Sequence, residues 1–174
     1  MHKTSFNEMR NILTRFDGNK DLNVLDVGSR DINGSYRPLI AATWNYTGID
    51  LQSGPNVDVL MTNPDIIPFP DSQFDVILCG QCLEHVRSPI SLLREIYRTL
   101  KPKGWILAVA PAKCHLHSFP YDYWRFMPEG MKVILEDAGF KSPQVYAKPD
   151  GIIDDAEKFH SHRSVIDCWG IAQK

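Results

Sequence analysis

No apolar run in this 174-residue chain approaches the ~18 residues that a membrane-spanning helix requires. The first residues, Met1-His2-Lys3-Thr4-Ser5-Phe6-Asn7-Glu8, lack the apolar stretch of a secretory leader. Without such a leader, the four cysteines are expected as reduced thiols in a cytoplasmic protein. An excess of one charge is missing too. The 19 Lys and Arg stand against 21 Asp and Glu, the net charge is −2, and the basic residues are dispersed. Bulk attraction to DNA or RNA is thereby disfavoured, and no membrane partner is expected. Internal repeats, low-complexity tracts and a recognisable linker are also absent, so residues 1–174 are expected to form a single domain.

What the chain does have is alternation. Ser5 and Glu8 stand at the spacing of a capping box, and Phe6, Met9, Leu13 and Phe16 follow at helical intervals. A leading helix within residues 1–18 is predicted. From Asn23 onward, strand and helix patterns take turns. Strands are predicted over Asn23–Val27, Asn45–Leu51, Val57–Met61, Phe74–Gly80 and Trp105–Ala110. Ser35 is placed to cap a helix over Tyr36–Thr43. Ser88-Pro89 opens another, with Ile90, Leu93, Ile96 and Leu100 inward, and Pro128 and Gly139 bracket a third. Two closing strands, Ser142–Ala147 and Ser164–Ala172, are joined by a loop and are expected to be antiparallel neighbours. The fold class that follows is α/β: a doubly wound, mostly parallel seven-stranded sheet with an antiparallel C-terminal strand.

In such sheets, ligands bind beyond the carboxyl ends of strands, where the strand order reverses. Val24-Leu25-Asp26-Val27-Gly28 ends the first strand in an acid and a glycine turn. Asp50 ends the second strand at the spacing of an acid that accepts hydrogen bonds from ribose hydroxyls. A dinucleotide would also need G-x-G-x-x-G spacing to seat its pyrophosphate. The turn instead reads Gly28-Ser29-Arg30-Asp31-Ile32-Asn33-Gly34, and Asp31 would repel that group. Nicotinamide dinucleotide binding is the weaker reading.

Longer stretches resemble one family. Val24 to Gly34 is similar to the first motif of class I S-adenosylmethionine-dependent methyltransferases, with Arg30 where a glycine is usual. Ile67-Pro68-Phe69-Pro70-Asp71-Ser72-Gln73-Phe74-Asp75-Val76-Ile77 resembles the "LPFxDxSFDvv" stretch of the type 11 methyltransferase family. Leu83-Glu84-His85-Val86 resembles its "LEHv", and Glu95 to Trp105 its "ExxRvLKPGGxl", with Lys103 replacing a glycine. The likeness runs from about Asn23 to Phe140. It implies a Rossmann-like class I methyltransferase fold with S-adenosyl-L-methionine as cofactor. It also implies a cofactor-binding half over residues 23–110 and a substrate-side half over 111–174. Carried over by position, it puts Asp26, Gly28 and Ser29 near the methionine moiety, Asp50 on the ribose and Leu51 against the adenine. Asn63 would face the adenine amine, and Gly80 and Gln81 would lie near the sulfonium. His85, at the mouth after the fourth strand, is a further candidate contact.

Pro111 to Phe126, after the fifth strand, is dense in polar and aromatic side chains. It resembles the "HxYPxDxWRF" stretch of a subgroup whose first motif also reads "DVGSxDxNGSYR", which accounts for Arg30. Methyl transfer from an activated sulfonium asks the protein to position the acceptor and take its proton when that is a hydroxyl or amine. His117, or His115, is the expected general base, because histidine titrates near neutrality. Asp122 would orient it. Arg125 would bind an anionic or carbonyl group of the substrate, or else pair structurally with Asp122; Trp124 and Phe126 are expected to pack. The expected acceptor is a small or medium molecule methylated on O or N, with a sugar or polysaccharide precursor as the candidate class. A catalytically inactive cofactor-binding regulatory or assembly protein is the alternative. The site would be covered only by loops around His115–Phe126 and Asp150–His162, or closed by a second subunit of a homodimer.

Cys79 and Cys82 form a CxxC, but Cys79 falls inside a strand, so the two are expected to face different environments. His115/His117 and His160/His162 are HxH pairs, the second near Asp154 and Asp155. Both fall in expected loops, and no metal site is assigned to them.

Overall fold

The computed structural model describes residues 3–118, 120–149 and 165–174. The strands are β1 (Asn23–Val27), β2 (Asn45–Asp50), β3 (Val59–Leu60), β4 (Phe74–Gly80), β5 (Leu100–Lys113), β6 (Lys141–Pro149) and β7 (Ile166–Gln173). They form one sheet in the order β3-β2-β1-β4-β5-β7-β6. The first five pair in parallel, and β7 runs antiparallel to both β5 and β6. This is the expected mixed sheet, with the reversed strand inserted between β5 and β6. β5 is longer than its apolar stretch because Leu100 already pairs with Phe74 ahead of a register shift.

Alternating side chains feed two cores. Leu25, Ile77, Ile106, Ala108 and Cys168 point to one face, covered by α2 (Pro89–Thr99) and α3 (Pro128–Ala138) through Leu92, Leu93, Ile96, Met131 and Leu135. Val24, Val76, Leu78, Leu107, Val109 and Trp169 point to the other. There α1 (Lys3–Leu13) inserts Met9, Ile12 and Leu13, with Phe16, Tyr36 and Trp44 beside it. Each fully buried aliphatic side chain contributes on the order of 1.5–3 kcal/mol. No helix among the described residues is long and apolar enough to cross a membrane.

Two local expectations fail. No α-helix forms over Tyr36–Thr43. Ser35 Oγ does accept from the Arg37 N–H (3.0 Å), but only one 3₁₀ turn, Arg37–Leu39, follows, and Ile40 is already extended. The sheet face against which such a helix would pack is filled by α1, so nothing rewards continuing the turn. Ser5 is likewise not an N-cap. It lies inside α1, which is already helical at Lys3, and its Oγ is hydrogen-bonded to Tyr36 Oη at 2.8 Å in the interior.

The motif stretches around Ile67 and Glu95 meet in space. Arg98, on α2, donates to the carbonyls of Ile67 (3.0 Å) and Phe69 (2.9 Å), to Asp71 Oδ1 (2.8 Å) and to both oxygens of Glu95 (2.8 Å each). Glu95 Oε2 also accepts from the Ile67 N–H (3.0 Å), so one ion pair clamps the loop before β4 onto α2. Lys103, standing where the family pattern has glycine, adopts φ +67 in the turn between α2 and the long run of β5. Its N–H donates to the Lys174 carbonyl (3.2 Å) and its own carbonyl accepts from Gln173 (2.9 Å), which offsets a strain of about 1 kcal/mol.

The Arg98 guanidinium holds the Glu95 carboxyl below the usual carboxylate range. A carboxylate with a depressed folded-state pKa adds stability above its unfolded pKa and loses it as pH falls through the folded value. Glu95→Gln is therefore expected to destabilise the protein by about 1.5 kcal/mol at neutral pH. The difference from the parent should shrink below about pH 4, as read by urea unfolding across that range.

Candidate functional site

Strand order reverses between β1 and β4, and a cleft of about 700 Å³ opens at the carboxyl ends there. Its size is that of a small-molecule site. The ends of β1 and β4 contribute Asp26, Gly28, Gly80 and Gln81; the end of β2 contributes Asp50 and Leu51, and Met61 follows β3; the turns after β4 and β5 contribute His85, His115 and His117.

The turn after β1 is fastened rather than free. Gly28 sits at φ +78, and a Cβ there would lie 2.8 Å from both Cβ and Sγ of Cys82, so no side chain fits. The N–H groups of Gly28 and Ser29 both donate to the Ile49 carbonyl (2.9 and 3.0 Å), and Ser29 Oγ donates to the Asn56 carbonyl (2.9 Å). Ser29 thus lines the cleft with its donors already committed. Arg30 and Asp31 extend the lacing. The Arg30 N–H donates to Asp50 Oδ2 (3.3 Å), and its guanidinium bonds Gln52 Oε1. The Asp31 N–H donates to the Pro55 carbonyl (3.0 Å), and Asp31 Oδ1 accepts from the Gly34 N–H (2.7 Å). In place of further glycines, the loop carries side chains that tie it to the β2–β3 connection and steady Asp50.

Asp26 is only 3% exposed, and Tyr46 Oη donates to its Oδ2 at 2.7 Å. Burial pushes its carboxyl up to about 7; the Tyr46 hydrogen bond works against this and the nearby Asp50 charge adds to it. Leu51 is half exposed and presents an apolar surface to the cleft. Asn63 is not among the residues lining the cleft; its Oδ1 accepts from the Asp65 N–H (2.9 Å), and Met61 and Pro64 line that side instead.

After β4 the chain turns sharply through Gln81, at φ +55, whose Nε2 donates to Asp167 Oδ1 (2.9 Å). Cys79 and Cys82 face different environments, as expected: Cys79 is buried in the core, whereas Cys82 is half-buried and lines the cleft. The turn nevertheless folds back so that Cys82, together with burial, raises the pKa of the Cys79 thiol; both are free cysteines. A single 3₁₀ turn, Leu83–His85, follows.

The segment after β5 is sewn to this turn. The N–H groups of Tyr123 and Trp124 donate to the Glu84 carbonyl (2.8 and 3.3 Å), and Trp124 Nε1 donates to the Val86 carbonyl (2.9 Å). Trp124 therefore spans the seam but is 45% exposed, whereas Phe126 is buried as expected. The seam brings His85 and His117 edge-to-face, with ring centroids 5.1 Å apart, and His115 5.8 Å from His117. Asp122 reaches His117 as expected: Oδ2 accepts from its N–H (2.9 Å) and lies 3.4 Å from its Nδ1. Arg125, by contrast, grips both oxygens of Asp122 (2.5 and 2.8 Å) and the carbonyls of Trp124 (2.8 Å) and His115 (3.2 Å), and it does not line the cleft. The ion pair with Asp122 is thus formed. Burial lowers the His117 pKa, so its imidazole is neutral at pH 7.

Glu84 is a residue that sequence reasoning passed over. Its side chain is fully buried and neither carboxylate oxygen has a hydrogen-bond partner. Burial pushes it up to about 8. The only signal was an acid between Leu83 and His85 in a short turn, which pattern alone reads as solvated. His160, His162, Asp154 and Asp155 lie outside the described residues.

A family model described as a methyltransferase domain matches residues 1–144. The ubiquinone/menaquinone biosynthesis C-methyltransferase UbiE of Escherichia fergusonii is 28% identical over 128 residues, which is 56% of this chain and 51% of that protein. Its counterpart from Hydrogenovibrio crunogenus is 34% identical over 86 residues, 47% of this chain and 34% of that one. The chain spans about half the length, or less, of these curated relatives. Among solved structures, Burkholderia thailandensis 1,6-didemethyltoxoflavin-N1-methyltransferase, with bound 1,6-didemethyltoxoflavin and S-adenosylhomocysteine, superposes with a TM-score of 0.72. The match covers 99% of this chain and 79% of that one at 16% identity. Haemonchus contortus phosphoethanolamine N-methyltransferase 2, in complex with S-adenosyl-L-methionine, gives 0.71 over 97% and 52% at 18% identity. At such identities the likeness speaks to the fold.

Asp122→Ala would leave Arg125 and the His117 N–H without their common partner. A loss of about 3 kcal/mol is expected for breaking a buried pair from one side, and thermal unfolding followed by circular dichroism measures it.

Proposed function

We propose, from the premise that this chain belongs to the methyltransferase domain family, that it transfers a methyl group from S-adenosyl-L-methionine to an oxygen or nitrogen of a small or medium acceptor. The observation that carries this reading is the conjunction, in one cleft, of the side-chain-free Gly28 turn, the buried Asp26 and the rim pair Asp50–Leu51. These residues fit the cofactor. Asp50, steadied by Arg30, would accept from the ribose hydroxyls, and Leu51 offers the adenine an apolar face. Asp26 would take the ammonium of the methionine moiety, a charge that favours its ionised form, and Gly80 and Gln81 would flank the reacting end. When bound, the cofactor supplies a methyl group already activated by its sulfonium.

What remains for the chain is placement of the acceptor. Most of the cofactor contacts would come from residues 23–110, and the segment after β5, with His115, His117, Tyr121 and Tyr123, would meet the acceptor. His85 and His117 direct and polarise the acceptor group, and Asp122 sets the attitude of His117. Tyr121 and Tyr123, stacked 5.5 Å apart on the cleft and largely exposed, support an acceptor with a ring face, a sugar precursor included.

Calorimetry on the purified protein should show binding of S-adenosylhomocysteine and none of NAD; absence of affinity for any S-adenosyl ligand would overturn the reading. Because burial holds free Asp26 near 7, binding an ammonium below that pH must displace a proton. Affinity should fall about tenfold from pH 7 to 5.5, and Asp26→Asn should remove that dependence. His117→Ala should lower kcat about 100-fold with S-adenosylhomocysteine affinity unchanged. A kcat equal to that of the parent would take His117 out of the site's chemistry.

A further inference from the structure

We propose that Glu84, His85 and His117 form a binding site for a divalent first-row transition-metal cation of the zinc(II) type, at the acceptor end of the cleft. One ligand atom from each residue lies within 4.8 Å of the other two. Glu84 is the first reason. A carboxyl group wholly removed from water, with neither oxygen hydrogen-bonded, either holds its proton or is paired with a cation, and a cation brought to it would displace that proton. Among the described residues, the nearby guanidinium of Arg125 is already spent on Asp122.

The imidazoles supply the second reason. His85 Nδ1 meets the Tyr121 carbonyl at 2.5 Å, and a carbonyl can only accept, so Nδ1 carries the proton. Nε2 is left with its lone pair, 3.7 Å from Glu84 Oε1. His117 Nδ1 is engaged in the same manner, 3.2 Å from the His115 carbonyl and 3.4 Å from Asp122 Oδ2, which leaves its Nε2. An outer partner on one ring nitrogen, fixing the tautomer and freeing the other, is how metal-binding histidines are held. Here Asp122 is itself held by Arg125.

Two imidazoles and a carboxylate suit zinc(II) and neighbouring borderline cations, whereas magnesium and calcium favour oxygen donors throughout. Ligand atoms around tetrahedral zinc stand roughly 3.3 Å apart, so the three side chains would draw together around the cation. Glu84 and His85 share one 3₁₀ turn, and His117 comes from the loop sewn to it. Three protein ligands leave a coordination position open, and since His85 and His117 line the cleft, it faces the acceptor. An acceptor hydroxyl bound there would be oriented and made more acidic. That consequence rests on the methyl-transfer reading; the site itself does not. His115 is outside the cluster, so the His115/His117 pair does not supply the set by itself.

The full chain, stripped with a chelator and titrated with cobalt(II), tests this through the visible absorption of low-coordinate cobalt. One equivalent should bind and be displaced by zinc(II). His85→Ala, His117→Ala and Glu84→Gln should each weaken binding about 100-fold, while His115→Ala and the double variant His160→Ala/His162→Ala should retain it. Circular dichroism checks folding; should Glu84→Gln fail to fold, the two histidine variants decide. No stoichiometric cobalt site in the parent overturns the proposal. So does a site that survives both His85→Ala and His117→Ala, or one that vanishes with His160 and His162. S-adenosylhomocysteine calorimetry in the presence of chelator reads the cofactor cleft separately, so failure of one reading does not mask failure of the other.

Discussion

Two backbone N–H groups, those of Tyr123 and Trp124, converge on the carbonyl oxygen of Glu84. Through that oxygen the turn after β4 and the segment after β5 become one structure. β4 and β5 are adjacent parallel strands, so their loops emerge side by side, but adjacency alone would leave both loops independent. The seam places His85 against His117, lets Asp122 reach the His117 backbone, and shuts the Glu84 side chain away from water. Trp124 closes the same seam from outside by donating to Val86.

A second set of ties does the same for the other half of the cleft. The turn after β1 bonds to Ile49, Asp50, Gln52, Pro55 and Asn56, all on or just beyond β2. The crossover between β1 and β2 can therefore do without a helix. Its position is set by these bonds on one side and by Tyr36 on the other, where Ser5 of α1 meets the phenol. α1 supplies the apolar cover that a crossover helix would have given, and the sheet is still protected on both faces.

The sheet was legible because it depends on period and order. Buried parallel strands such as β4 are apolar on both faces, and Pro89, Pro128 and Gly139 mark helix ends by backbone chemistry that acts locally. The cofactor half of the cleft was legible in part for the same reason: Asp26, Gly28 and Asp50 occupy positions that topology alone fixes. Ser5 and the Tyr36–Thr43 segment misled because local capping signals hold only when the tertiary surroundings agree, and α1 had already claimed that face. Arg125 shows the limit for side chains. Its sequence neighbours allow a substrate contact and an ion pair equally, and only the folded position of Asp122 reveals the pair. Glu84 was hidden because burial of a charged residue comes from two loops far apart in sequence, which no periodicity records.

The contact between Gly28 and Cys82 carries a different kind of consequence. The space where a methyl group on residue 28 would sit is already filled by the Cys82 side chain, which in turn leans on the Cys79 thiol. Positions 28 and 82 thus share a single volume. A smaller residue at 82 would free the space but not the φ +78 backbone of Gly28, so the exchange runs one way: the side chain at 82 depends on glycine at 28, and glycine at 28 does not depend on cysteine at 82.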